Sequence, residues 1–402
     1  MNQVKLKITF GEILIFMLFV SIFRPYFLPS TVYQMIKVIV VGIAFIFLIA
    51  KAKGILINWS ILVCISIIVS SFISFYTTSS VTVRQVLDAV VYAGCFYCCY
   101  TLIHYYGLKG KRYELVKILF YLNLVYCLTA LIFLNFPLGY ETGDSNLFVY
   151  IFGNKFDTSY LFMQLVALYY TCYGEKIHKF LRFKICLFIL IGLSIVVSLL
   201  YGCTTAFLAA LLPGVILINP KGIRNKLYNP VVILAVVIIT AILPFMLQAI
   251  LTNPYIQDII VNRLHRQINL SGRMNIYTKY LLPVIGKKFW FGHGYINTAM
   301  KTASIYYTNA QNGLLHHFVR YGIIGGAVIV VFIVHCFRKS EKSRFTDGAL
   351  IMVYAMLLAG IVEVTYNWYF FIALFIISMP NEFVAKTKHR NRRLLSKIKV
   401  KW

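Results

Sequence analysis

Between residues 309 and 326 the chain reads NAQNGLLHHFVRYGIIGG. Gln311, Asn312, His316, His317 and Arg320 share about three turns of one helix, immediately before Gly322-Ile-Ile-Gly325. Amides orient hydroxyls and phosphate oxygens, histidine moves a proton near neutral pH, and a guanidinium grips phosphate oxygens in pairs. These types suit an anionic partner. His316 and His317 point about 100° apart, so at most one of them is expected to line a site.

A second group lies upstream. Between residues 252 and 312, Arg263, Arg266, Arg273, Lys279, Lys287, Lys288 and Lys301 face only one acid, Asp258. IQDIIVNRLHRQI reads as a short amphipathic helix with Arg263 and Arg266 on one face. Ser271 caps a second helix that carries Arg273, and KKFWFGHG ends it with aromatics suited to lipid headgroups. This cradle either grips the phosphate oxygens of an anionic partner or rests on headgroups, and His293 adds a titratable group beside it. Arg84, Asp88 and Glu363 are charges within apolar stretches, where the cost of burial makes them face a cavity or a partner. Arg84 and Asp88, four apart, also suit a plain internal ion pair.

The elements that must position these groups follow from composition. The 402 residues are 60% apolar and 13% charged, with a mean hydropathy of +0.79, too much apolar surface for a water-soluble globule. About 20 apolar residues of helix cross a hydrocarbon core of about 30 Å. Such windows recur near 8–23, 32–50, 55–76, 86–106, 116–136, 158–174, 185–200, 203–219, 230–251, 313–337, 348–365 and 368–384. Backbone pairing in lipid leaves helices or a closed barrel, and these windows are too long and uniform for barrel strands. The sequence therefore predicts an all-α polytopic membrane protein with about twelve transmembrane helices. No small-residue cleavage site follows Arg24-Pro25, so the first window reads as a span and not as a removable signal.

Assigned to alternate connections, 27 of the 39 Lys and Arg residues fall on one side. Positive loops stay in the cytoplasm, which puts both termini there and 252–312 outside as one large extracytoplasmic loop carrying short interfacial helices. A single membrane domain, 1–402, thus holds that loop and a basic cytoplasmic tail, 385–402, suited to anionic lipid rather than nucleic acid. All nine cysteines fall in or beside spans, so no disulfide framework is implied, and CFYCC at 95–99 lacks a matching Cys/His pair for a metal.

The opening stretch resembles the Wzy-type repeat-unit polymerases and O-antigen ligases, membrane enzymes that handle lipid-linked surface polysaccharide. Ligase-like members carry His followed by Asn, Ser or Gln, then nine residues, then G-x-x-G; here Gln311-Asn312 precedes Gly322-Ile-Ile-Gly325. Arg273 in SGRMNIY matches the family's outer-loop Arg, and GHG at 292–294 falls where a G-x-G is usual. FGNKFDTSY and SLLYGCTTAFLAALL are similar to further family stretches, although the Arg common in the latter is missing. Gln311 replaces the family's His and cannot take a proton, so a base is not carried over to that position.

The resemblance implies a donor glycan joined through pyrophosphate to a polyprenyl lipid and a second lipid-linked repeat unit as acceptor. It implies a bacterial cytoplasmic membrane, with a flippase and a chain-length regulator as partners, and a capsule, exopolysaccharide or O-antigen product. Catalytic expectations fall on Arg273, His293, His316 and Glu363, and substrate-binding ones on Arg263, Arg266, Arg84, Arg320, Gln311 and Asn312. The outer segments hold no D-x-D and few acids, so neither a metal nor another cofactor is expected, and arginines would neutralise the departing pyrophosphate. Two alternatives remain: a flippase for the lipid-linked glycan, and a ligase that transfers finished polymer.

Overall fold

An apolar chain in hydrocarbon must pair its backbone groups internally, and helices do so within one segment. In the computed structural model, which describes residues 9–79, 81–141, 144–218, 221–251, 253, 255, 276–295, 299–303 and 309–381, each expected span falls on a helix. In chain order these are α1 (Phe10–Ile22), α2 (Ser30–Lys51), α3 (Ser60–Thr77), α4 (Val83–Leu108), α5 (Arg112–Ile132), α6 (Lys155–Lys179), α7 (Leu181–Leu200) and α8 (Thr204–Ile218). The short α9 (Lys221–Leu227) leads into α10 (Pro230–Leu251). A π-helical turn, Ile276–Leu281, runs into α11 (Leu282–Lys287), and α12 (Ala299–Ala303) precedes α13 (Gly313–Lys339), α14 (Arg344–Ala359) and α15 (Trp368–Ile377). Six of them, α2, α3, α4, α5, α7 and α13, are long and apolar enough to cross a membrane by length and composition. With the shorter apolar helices around them, they make a multi-pass membrane protein.

The centre of the bundle is α6, α14 and α15, buried on nearly every face, while α2 and α7 show their outer faces. Gly348 of α14 lies so close to α6 that an added Cβ would sit 2.2 Å from the carbonyl oxygen of Ala167. Small residues permit such approaches where lipid leaves only packing to hold helices together.

Three departures from the sequence expectation stand out. First, helix α14 stops at Ala359, not 365, so Glu363 lies in a buried non-helical stretch, Gly360–Asn367, before α15. The β-branched Ile361, Val362, Val364 and Thr365 disfavour helix there, and the Thr365 hydroxyl returns to the Met356 carbonyl at 2.7 Å. Second, α13 is broken at Gly322, whose φ of 65° and ψ of −171° lie outside the helical region. Third, the chain between α5 and α6 forms a small antiparallel sheet in the order β1-β2-β3, from Gly139–Glu141, Asp144–Tyr150 and Gly153–Asn154. Val149 pairs with Gly139 on one side and Asn154 on the other.

Among the described residues the ion pairs are Lys111 with Glu12 and Glu114, Arg112 with Glu341, and Arg224 with Asp347, all at the end assigned to the cytoplasm. Asp347 is bound at 3.0 Å by Arg224 and at 2.9 Å by the Tyr228 hydroxyl, which ties α9 and the start of α10 to α14.

Candidate active site

The break in α13 and the GHG loop complete one another. Ending a helix at residue 321 frees carbonyls before the break and N–H groups after it. The backbone N–H groups of His293 and Gly294 donate to the carbonyls of Val319 and Arg320 at 2.9 and 2.8 Å. In the other direction, Ile323 and Ile324 donate to the carbonyls of Phe289 and Trp290 at 2.8 and 3.3 Å. Both contact points need glycine. A Cβ on Gly292 (φ 70°) would meet the Gly322 nitrogen at 2.4 Å, and one on Gly322 would meet Trp290 backbone at 2.3 Å. Irregular backbone at membrane depth is tolerated only where protein satisfies it, and here two motifs thirty residues apart do so reciprocally. Serines of α3 hold the loop from the other side: Ser70 donates to the carbonyls of Phe291 and Arg320, and Ser74 to that of His293 at 2.7 Å.

Just above the break sits the polar turn that opened the sequence reading. Asn312 caps α13, its side-chain oxygen accepting from Leu315 N at 3.0 Å. Its amide nitrogen donates to the carbonyls of Thr240 at 3.0 Å and Ile361 at 3.1 Å. Pro244, four residues on in α10, has no N–H to give Thr240, so Asn312 supplies the missing donor. Gln311 takes a left-handed φ of 48°, which strains a residue with a Cβ, and it is pinned by Tyr277, whose hydroxyl donates to the Gln311 carbonyl at 2.7 Å. Strain of this kind gathers at functional sites.

Four buried polar atoms of this turn have no hydrogen-bond partner among the described residues: Gln311 Oε1, His316 Nδ1, His317 Nδ1 and Arg320 Nε. His317 Nε2 lies 3.2 Å from the Tyr366 carbonyl, which can only accept, so the ring proton sits on Nε2 and Nδ1 keeps its lone pair. His293 is set the same way, with Nε2 at 2.9 Å from the Val284 carbonyl. Burial pushes the His293 pKa below the ordinary 6.5, with Lys288 and Lys287 adding to the shift and the Val284 hydrogen bond opposing it. Both imidazoles are therefore oriented to accept a proton through Nδ1.

Around the turn lie aromatic rings and cations that enter no ion pair among the described residues. Arg320 stands 5.3 Å over the Tyr295 ring, which is 4.7 Å from Tyr92, itself 5.2 Å from Trp368. Arg84 is exposed in the first turn of α4 and Asp88 is half-buried; the two are not in ion-pair contact. Asp88 has a second cationic neighbour besides Arg84, namely Lys37. Glu363 is 6% exposed, with Tyr160 and Cys203 in its electrostatic neighbourhood. Its loop is held by Asn312 at Ile361 and by Gly313 N at the Gly360 carbonyl, 2.9 Å away.

The structure thus brings Gln311, Asn312, His316, Arg320, His293 and Glu363 to one end of the bundle, with Arg84 at its edge. Arg263, Arg266 and Arg273 lie outside the described residues. Two cations escaped the sequence reading. Lys37 is 8% exposed on the inner stripe of α2 formed by Tyr33, Val40, Ala44 and Leu48, where spacing calls for an apolar residue. Arg24 donates to Leu28 O at 2.8 Å and lies over Tyr26 and Tyr33 at 5.2 and 5.9 Å. A charge in mid-span was the signal for Lys37; Arg24, beside Pro25 in the loop after α1, gave none.

The loop that seals the break, the break itself and the polar turn all lie inside one stretch of recognisable ancestry. Residues 186–330 match the O-antigen ligase family model. The match runs from α7 to the inner half of α13, about a third of the 402 residues, and is consistent with the Wzy and O-antigen ligase-like membrane family. It therefore covers the paired G-x-G and G-x-x-G segments and every polar residue of the turn. No curated protein and no solved structure matches the chain.

Proposed function

We propose that the protein is a membrane glycosyltransferase that joins polyprenyl-pyrophosphate-linked oligosaccharide repeat units into a surface polysaccharide, at the outer face of the bacterial cytoplasmic membrane. The observation that carries this reading is that Gln311, His316, His317 and Arg320 atoms without partners among the described residues lie at the same end of the bundle as His293 and Glu363, within or beside the segment similar to O-antigen ligases. In the reaction, the bond between the donor's anomeric carbon and its pyrophosphate oxygen breaks, and its electron pair leaves with the pyrophosphate. The acceptor hydroxyl oxygen bonds to that carbon and gives its proton to a base, drawn here from His293, His316 and Glu363.

Arg273 is the first cation assigned to the departing pyrophosphate, with Arg263 and Arg266 beside it and Arg84 and Arg320 at the rim. Gln311 orients sugar hydroxyls through its side-chain oxygen, which is buried and has no partner among the described residues, and Asn312 serves the site mainly by holding the Glu363 loop. No described carboxylate pair is needed for this scheme, because guanidinium groups supply the neutralising charge.

Synthetic lipid-pyrophosphate repeat units, incubated with the purified protein, should yield an oligomer ladder; no ladder with active partner enzymes present would refute the assignment. In cells, Arg273→Ala should accumulate single lipid-linked repeats outside the membrane. Single repeats held inside would indicate a flippase, and polymer of normal chain length lacking only its final transfer would indicate a ligase.

A further inference from the structure

At the opposite end of the bundle a cavity of about 650 Å³ opens between the start of α3, the last turns of α4 and α13, and residues 378–381. That volume is within the range of about 300–1,000 Å³ common to ligand sites. Its wall carries Trp59 stacked on His335 at 4.7 Å and 27°. Arg338 and Lys339 stand exposed at its rim and enter no ion pair among the described residues. The acid in the lining, Glu341, is taken up by Arg112 at 2.9 Å and by the Asn381 amide at 3.1 Å.

Helix dipoles do not cancel the remaining charge. The C-termini of α4, α13 and α15 contribute roughly −0.5 each and the N-terminus of α3 roughly +0.5, against two full positive charges. The site is thus net positive by about one charge before any ligand arrives. Its lip is apolar: Ile57 is 94% exposed and Leu108 is also exposed. A ligand that satisfies both features carries a phosphate at one end and acyl chains at the other.

We propose that this cavity is a specific binding site for the phosphate headgroup of an anionic phospholipid in the adjoining leaflet, separate from the glycosyl-transfer site. Arg338 and Lys339 hold the phosphate, the Trp59–His335 stack packs against the glycerol backbone, and the acyl chains leave past Ile57.

The test uses the full chain in nanodiscs of phosphatidylcholine doped with phosphatidylglycerol, with native mass spectrometry counting the phosphatidylglycerol retained after extraction. The double variant Arg338→Gln, Lys339→Gln should lose retention about thirtyfold, the effect of two surface cations. Lys176→Gln, Lys179→Gln, which removes two charges from the same end away from the cavity, should retain it fully. Equal loss in both variants would reduce the effect to diffuse attraction and overturn the proposal. Displacement of the lipid by millimolar inorganic phosphate would make the ligand a soluble anion and overturn it equally. In the wild-type protein, photoactivatable phosphatidylglycerol should label peptides containing Trp59 or His335, and labelling confined to other peptides would count decisively against the site.

Discussion

The side-chain amide of Asn312 donates to the carbonyl of Thr240, the group that Pro244 deprives of its helical partner. The same amide holds Ile361, two residues before Glu363. Asn312→Ala therefore removes a helix cap worth about 1 kcal/mol and leaves two carbonyls unpaired at about 1–3 kcal/mol each. A fall of several degrees in melting temperature in detergent is expected, and Asn312→Asp, which keeps the cap oxygen but loses the donors, should recover only part of it. An unchanged melting temperature for Asn312→Ala would show that the Glu363 loop is held by other means.

Gly292 and Gly322 form the second prediction. Either change to Ala places a methyl group within 2.4 Å of backbone, where no side-chain rotation relieves it, and does so at a positive φ. The cost should exceed about 3 kcal/mol, and the two changes together should not rescue one another. Fluorescence size-exclusion profiles would report this as loss of the monodisperse peak, whereas Gly286→Ala, where the space is open, should leave it intact.

Acid sensitivity follows from His293. Its folded-state pKa is lowered by burial, so as pH falls the unfolded chain takes up the proton first. The stability associated with the neutral ring is complete above the ordinary 6.5 and is lost as pH drops through the lower folded value. If His293 is the base, the acid limb of the pH–rate profile should lie below that of an ordinary histidine and vanish in His293→Gln. Persistence of the same limb in that variant, with residual activity, would shift the role to Glu363 or His316.

Substitution of Glu363 and Arg320 separates chemistry from packing. Glu363→Gln preserves volume and should cut kcat by about 100-fold or more if the carboxylate takes the proton, with little change in KM. Arg320→Lys keeps the charge but not the planar fork, and a loss of about 10- to 100-fold is expected if it contacts phosphate. Measured turnover within twofold of wild type for both would remove them from the reaction.

At the far end, Asp347→Ala strands the partly buried Arg224 and frees Tyr228, at a cost of about 3 kcal/mol. On the proposed function, product chain length from the surviving folded protein should not change, because the pair lies across the bundle from the Gln311–Arg320 turn.

The sequence made the helices legible because hydrocarbon imposes one rule, length of apolar run, and among the described residues six of the twelve windows fall on helices long and apolar enough to meet it. It also exposed the charged residues that hydrocarbon penalises, such as Asp88 and Glu363, but not their setting. Glu363 looked like part of a helix because hydropathy does not register the β-branched run after Gly360. Lys37 was passed over inside an apolar run, although its place on the inner stripe of α2 decides which way it faces. GHG and G-x-x-G were visible as separate motifs, but their mutual docking depends on hydrogen bonds between segments thirty residues apart, which no local pattern encodes. Nor did spacing reveal that Asn312 answers a proline in another helix.

The seal at Gly322 has a practical corollary. Residues 289–294 owe their shape to donors and acceptors that belong to a membrane helix. An excised peptide covering them would meet water instead of Val319, Arg320, Ile323 and Ile324. Antibodies or inhibitors raised against such a fragment would recognise a contour different from that of the intact protein, so screening should begin from the whole protein in a bilayer.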